Sequence, residues 1–185
     1  MKLLTLILIL TASLCMAQTK VQTQPFDSLG NQTNNFDDQQ FAGKLDSATV
    51  LLATLVNSKE FEEAFLKVKC LRKNGKNNKE IIALIRSGQE EGTQADNVIN
   101  LKVAFDYTAN EEASTTDKKN VIHINKRYVS DNGVEYLAAQ LLHEYCHVLG
   151  FCHSKRKARF RPYTVPYRIG TLAATQLHAS CVRPN

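Results

Sequence analysis

Residues 151–185 contain no aspartate or glutamate, although the whole chain holds 18 acidic residues against 23 lysines and arginines. This last stretch cannot neutralise its own charge. Its basic run, Lys155, Arg156, Lys157, Arg159 and Arg161, is read as a solvated loop or as a contact for acidic substrates or another anionic polymer. Methionine is nearly absent too. Met1 and Met16 are the only two, so no thioether is available to a domain folded from later residues. Long apolar runs are also missing. The stretch 3–10 is too short to favour a membrane-spanning helix. No membrane span and no specific nucleic-acid contact are expected, and no internal repeat is apparent.

The first 17 residues read as an export signal. Lys2 precedes the apolar run, and the small Ala17 precedes Gln18, which places cleavage between them. The mature protein is then secreted or periplasmic. A lipoprotein anchored through Cys15 ranks second, because the bulky Leu14 stands where a small residue is expected. Residues 18–43 are rich in Gln, Asn, Thr and Asp and read as a flexible polar tail or short pro-segment. Residues 44–185 form one catalytic domain, long enough for a core of its own. Four cysteines follow residue 17: Cys70, Cys146, Cys152 and Cys181. In an exported chain an even number suggests two disulfides, in any of three pairings, with buried free thiols as the alternative.

Histidine is scarce, with five in the chain, yet three fall in HEYCHVLGFCH at residues 143–153. On a helix His143 and His147 lie one above the other on one face, as two ligands of one metal must. Glu144 projects to the side, where it can hold a water without becoming a ligand. Gly150 suits a left-handed helix end, after which His153 can return as a third ligand. Three protein nitrogens with an open position describe a catalytic zinc site. HExxH alone arises by chance in many chains; five fixed positions, three of them histidine, do so far more rarely. A structural zinc site using Cys146 or Cys152 is the alternative.

Val134, Leu137, Leu141, Tyr145 and Val148 recur at helical spacing on the opposite face. With Asn132 and Glu135 as a capping box, they predict a helix over 133–149. Upstream, 45–56 is apolar. Asn57 with Glu60 opens a helical segment running to Leu71, and Asn77 with Glu80 opens another ending at Gly88. Residues 98–107 and 121–125 read as strands, with a polar loop between them. His123 reads as an ordinary strand residue. A C-terminal helix is expected over 171–181, with His178 on its surface. The fold class is therefore α+β: mostly helical, with a small reduced sheet.

HExxHxxGxxH, carried by His143, Glu144, His147, Gly150 and His153, resembles the metzincin zinc metallopeptidases. The resemblance implies a zincin-like fold, one zinc ion held by the three histidines, and Glu144 as general base. Metzincins also have a tight turn with a methionine beneath the zinc, followed two residues later by tyrosine. YTVPYRIG holds the corresponding place here, with Val165 at the methionine position and Tyr167 at the tyrosine position. Tyr167 is read as an oxyanion donor or as packing below the site. FAGK resembles a latency segment of one metzincin branch, but Lys44 stands where an aspartate belongs. The expected function is a secreted zinc endopeptidase acting on a peptide or protein substrate. The alternatives are a zinc amide hydrolase of cell-wall peptide and a non-catalytic, zinc-stapled binding protein.

Overall fold

The computed structural model describes residues 18–36, 39–70, 73–90, 93–106, 113–115, 120–153 and 158–182. The expected export signal over residues 1–17, and Lys155, Arg156 and Lys157 of the basic run, lie outside them. The chain runs β1 (Lys20–Phe26), α1 (Gln39–Asn57), α2 (Lys59–Leu66), α3 (Asn78–Ser87), β2 (Val98–Asp106), β3 (Ala113–Thr115), β4 (Val121–Asn125), α4 (Lys126–Asp131), α5 (Val134–Val148), a 3-10 turn (Ala158–Tyr163) and α6 (Val165–Val182). The fold is α+β, with six α-helices and a mixed four-stranded sheet among the described residues. The sheet order is β1-β2-β4-β3. β1 and β4 flank β2 in parallel, and β3 pairs antiparallel with β4.

α5 is the central element. It packs on α1 and α6 and reaches β3 and β4. Leu137, Leu141, Tyr145 and Val148 are buried along it, as their helical spacing requires. Tyr145 is fully buried, and its hydroxyl donates to Glu90 Oε1 at 3.1 Å. The same oxygen accepts the Asn100 backbone N–H of β2 at 2.9 Å. Burial, and then the Glu90 carboxylate, push the Tyr145 phenol well above its usual range. It therefore stays a neutral donor that fixes the back of α5 to the sheet.

The helices in front of the sheet are tied together by Arg86. Its Nε donates to Val56 O at 2.7 Å, and its guanidinium also meets Ser58 O and Glu62. α3 opens with the Asn77–Glu80 capping box and closes at Gly88 in the left-handed region. A Cβ at Gly88 would collide with the Val98 backbone, so glycine is required by both φ and space.

Several boundaries differ from the sequence reading. Ser58, not Asn57, caps α2, accepting from Phe61 N at 3.1 Å, and the helix ends at Leu66. Asn57 instead terminates α1 and bonds Thr19. The Asn132–Glu135 box does not form at the start of α5. Its N-cap is Gly133, and Asn132 closes α4 through Tyr128 O.

The sheet has four strands where two were expected. Residues 18–43 are not a featureless tail: β1 lies inside them and pairs with β2 from Lys20↔Val98 to Phe26↔Ala104, and α1 starts at Gln39. An edge strand draws its stability from backbone hydrogen bonds, so it needs few apolar side chains. That is why its polar composition concealed it. Residues from Thr19 onward therefore belong to the described fold, ahead of the expected boundary at residue 44. β3, similarly, lies in the segment read as a polar loop. No helix among the described residues is long and apolar enough to cross a membrane.

Candidate metal centre

His143 and His147 stand one turn apart on α5, with ring centroids 5.4 Å apart. α5 then ends in a paired cap. Gly150 N donates to His147 O and Phe151 N donates to Cys146 O, each at 2.9 Å, while Gly150 takes a φ of 83°. These two bonds form a Schellman motif, which satisfies the last carbonyls and turns the chain back. Phe151 is fully buried and anchors the reversal. His153 then returns over the helix. Its Nε2 lies 3.2 Å from His143 Nε2 and 3.1 Å from His147 Nε2. The three rings form a group able to hold a metal ion.

The outer nitrogens of two rings are fixed. His147 Nδ1 lies 2.7 Å from Phe151 O. A carbonyl only accepts, so Nδ1 is the donor. His153 Nδ1 lies 2.9 Å from Thr164 Oγ1, whose own proton goes to Arg161 O at 2.8 Å. The Thr164 hydroxyl therefore accepts from His153. A neutral imidazole that donates from Nδ1 has no hydrogen on Nε2. With both rings neutral, the Nε2 atoms of His147 and His153 face each other with lone pairs. Such a contact repels unless a cation lies between the rings.

The spacing suits one. Ligands about 2.0–2.1 Å from a tetrahedral zinc lie about 3.3–3.4 Å apart. Burial, with the charges of neighbouring histidines, holds His143 neutral, its pKa down to about 3. Burial, His147 and Arg161 bring His153 down to about 4. Hydrogen bonds from the outer nitrogens to oxygen are the usual support for ligating histidines.

Glu144 is buried at 4 % exposure. Thr115 of β3 donates to its Oε2 at 2.7 Å. Sequence reading missed Thr115, because it lies 29 residues away in a segment with no strand pattern. It also missed Thr164, Phe151 and Gly170. A Cβ on Gly170 would sit 3.2 Å from His143 Cβ and 3.3 Å from its Nδ1, so this glycine lets α6 press against the first histidine. The one available signal was a glycine in the middle of a helical stretch.

Tyr167 joins the group. Its ring lies 4.9 Å from that of His143 and 4.6 Å from that of His153, and it is 36 % exposed. YTVPYRIG is not a free turn beyond Thr164: Val165 begins α6 and is fully buried. His123 sits on β4, and His178 is exposed on α6. Neither belongs to the cluster.

The cysteines do not form the expected bridges among the described side chains. Cys70, Cys146 and Cys152 are free. Burial, and then the Glu144 charge, raise the Cys146 thiol far above its usual range; it is fully buried in the core and lies outside the three-histidine group. Cys152 is exposed, near the Gly150 carbonyl. No protein-family model, curated protein or solved structure matches the chain.

Proposed function

We propose that the protein is an exported zinc hydrolase that cleaves peptide bonds, with a metzincin-like site on a divergent framework. The observation that carries this reading is the convergence of three histidine Nε2 atoms, with His153 Nε2 3.1–3.2 Å from the other two, and a buried carboxylate on the same helix. Three imidazoles suit zinc among the common divalent ions. A metal staple would need the histidines but would have no use for Glu144.

Zinc held by His143, His147 and His153 supplies a water of lowered pKa and polarises the scissile carbonyl. The chain's own groups do the rest. Thr115 holds Glu144 Oε2, and the carboxylate takes the proton of the attacking water. Glu144 then passes that proton to the leaving amine nitrogen, whose bond to the carbonyl carbon breaks. Tyr167, exposed beside two of the histidines, is placed to donate to the oxyanion.

The edge of β4 is not available to an extended substrate, because β2 and β3 occupy both sides. Among the described residues the edge strands are β1 and β3, and β3 carries Thr115. A substrate paired there would pass the base in extended form.

The test is metal content together with chelator-sensitive cleavage of a mixed-peptide library. About one zinc per chain is expected, lost in His143→Ala, His147→Ala or His153→Ala. Glu144→Gln should keep the zinc and lose about 10²–10⁴-fold in turnover. Undiminished cleavage by Glu144→Gln would refute the mechanism.

A further inference from the structure

Between Glu63 and Glu80 the sequence has no acidic residue, while Lys67, Lys69, Lys73, Lys76 and Lys79 fall inside that interval. The ion pairs among the described residues are Lys59–Glu63 and Arg86–Glu62, so none of these five lysines is neutralised by one. Lys67, Lys69, Lys73 and Lys79 converge on a single groove of about 530 Å³. Like charges gathered on one open groove add up to a positive potential there.

The segment that lines the groove touches the end of α5. The turn between α2 and α3 is tied to the end of α5, Asn74 Nδ2 donating to Gly150 O at 2.9 Å. Gly150 is where the chain turns back to present His153.

The lining narrows the class of ligand. It contains no aromatic residue, so it offers no platform on which bases could stack.

We propose that the groove lined by Lys67, Lys69, Lys73 and Lys79 docks an acidic stretch of the polypeptide substrate, holding it while a neighbouring peptide bond lies at the three histidines. The proposal rests on the hydrolase reading and adds the substrate class.

The test is the binding of a fluorescent oligoglutamate peptide to the zinc-loaded Glu144→Gln protein, with oligoglutamine and single-stranded DNA of equal charge as comparisons. Oligoglutamate should bind, oligoglutamine should not, and the affinity should fall steeply with salt. Replacing the four lysines by glutamine should weaken binding about ten-fold or more. Replacing them by arginine, which keeps the charge, should preserve it and show that the surface still folds. Equal binding by the glutamine variant, or tighter binding of DNA, overturns the proposal. Cleavage by the unmodified protein separates the two readings. If oligoglutamate binds through the lysines but no peptide is cleaved, the hydrolase reading falls and the affinity for acidic polypeptide stands. If neutral and acidic peptides are cleaved alike, the hydrolase stands and the acidic docking surface is overturned.

Discussion

Thr115 shows what a single hydroxyl can decide. Its bond to the buried Glu144 carboxylate is charge-assisted, and such bonds contribute about 1.5–3 kcal/mol. Thr115→Val keeps the shape and removes the donor. It should lower kcat by about 10–100-fold with zinc retained, and Thr115→Ser should restore most of the loss. A variant that lost zinc as well would point to a collapsed strand instead. Tyr167→Phe probes the oxyanion role separately. It should lower kcat with KM nearly unchanged, because the bond forms mainly in the transition state, and by less than the 10²–10³-fold cost of a rigid oxyanion donor. Normal turnover would reduce Tyr167 to packing. The grouping of His143, His147 and His153 around the turn at Gly150 was legible because helix periodicity and a left-handed glycine are local rules. Thr115 and Thr164 were not, since each supports a partner brought near only by the tertiary fold.

At the scale of elements, the join between α5 and α6 sets the first ligand. A glycine inside a helix costs about 0.5–1 kcal/mol relative to alanine, so Gly170 must be there for close approach. Gly170→Ala would place a methyl 3.2–3.3 Å from His143. The expected result is a gain in intrinsic helix propensity and a loss at the site, with zinc affinity lower by about ten-fold, as for other changes to groups that orient ligands. Calorimetric zinc titration of the variant checks this, and unaltered affinity would mean that His143 has room to move. Element positions were readable where side chains carry the pattern. α3 has its box and its glycine cap, and β4 matches its expected span. β1 and β3 were unreadable for the same physical reason. Edge strands are stabilised by the ladder, and a polar or three-residue strand leaves no hydrophobic period. The capping errors, one position at Ser58 and one box at Asn132, arise where two helices abut and a polar residue can serve either.

For the whole molecule, the decisive question is whether the N-terminal segment is part of the fold or a detachable cover. Thr19 argues for the former. Its backbone N–H donates to Asn57 Oδ1 at 2.9 Å, its carbonyl accepts from Asn57 Nδ2 at 2.7 Å, and its hydroxyl donates to Arg86 O at 3.0 Å. These bonds join β1 to the end of α1 and to α3. Cleavage between Ala17 and Gln18 leaves all of them intact. Removal of residues 18–26 would strip the strand from β2 along seven register pairs and remove the bonds that Asn57 and the Arg86 carbonyl make to Thr19. At about 0.5–1.5 kcal/mol per hydrogen bond lost, the truncated chain should be less stable by several kcal/mol. Urea denaturation should show a lower midpoint with a similar slope, since most of the surface buried on folding is retained. A pro-segment predicts the opposite pattern: the shortened protein would keep its midpoint and gain activity as the site was uncovered. The two outcomes differ in both stability and rate. One truncation, measured by urea unfolding and by peptide cleavage, therefore decides whether β1 is an integral strand of the sheet.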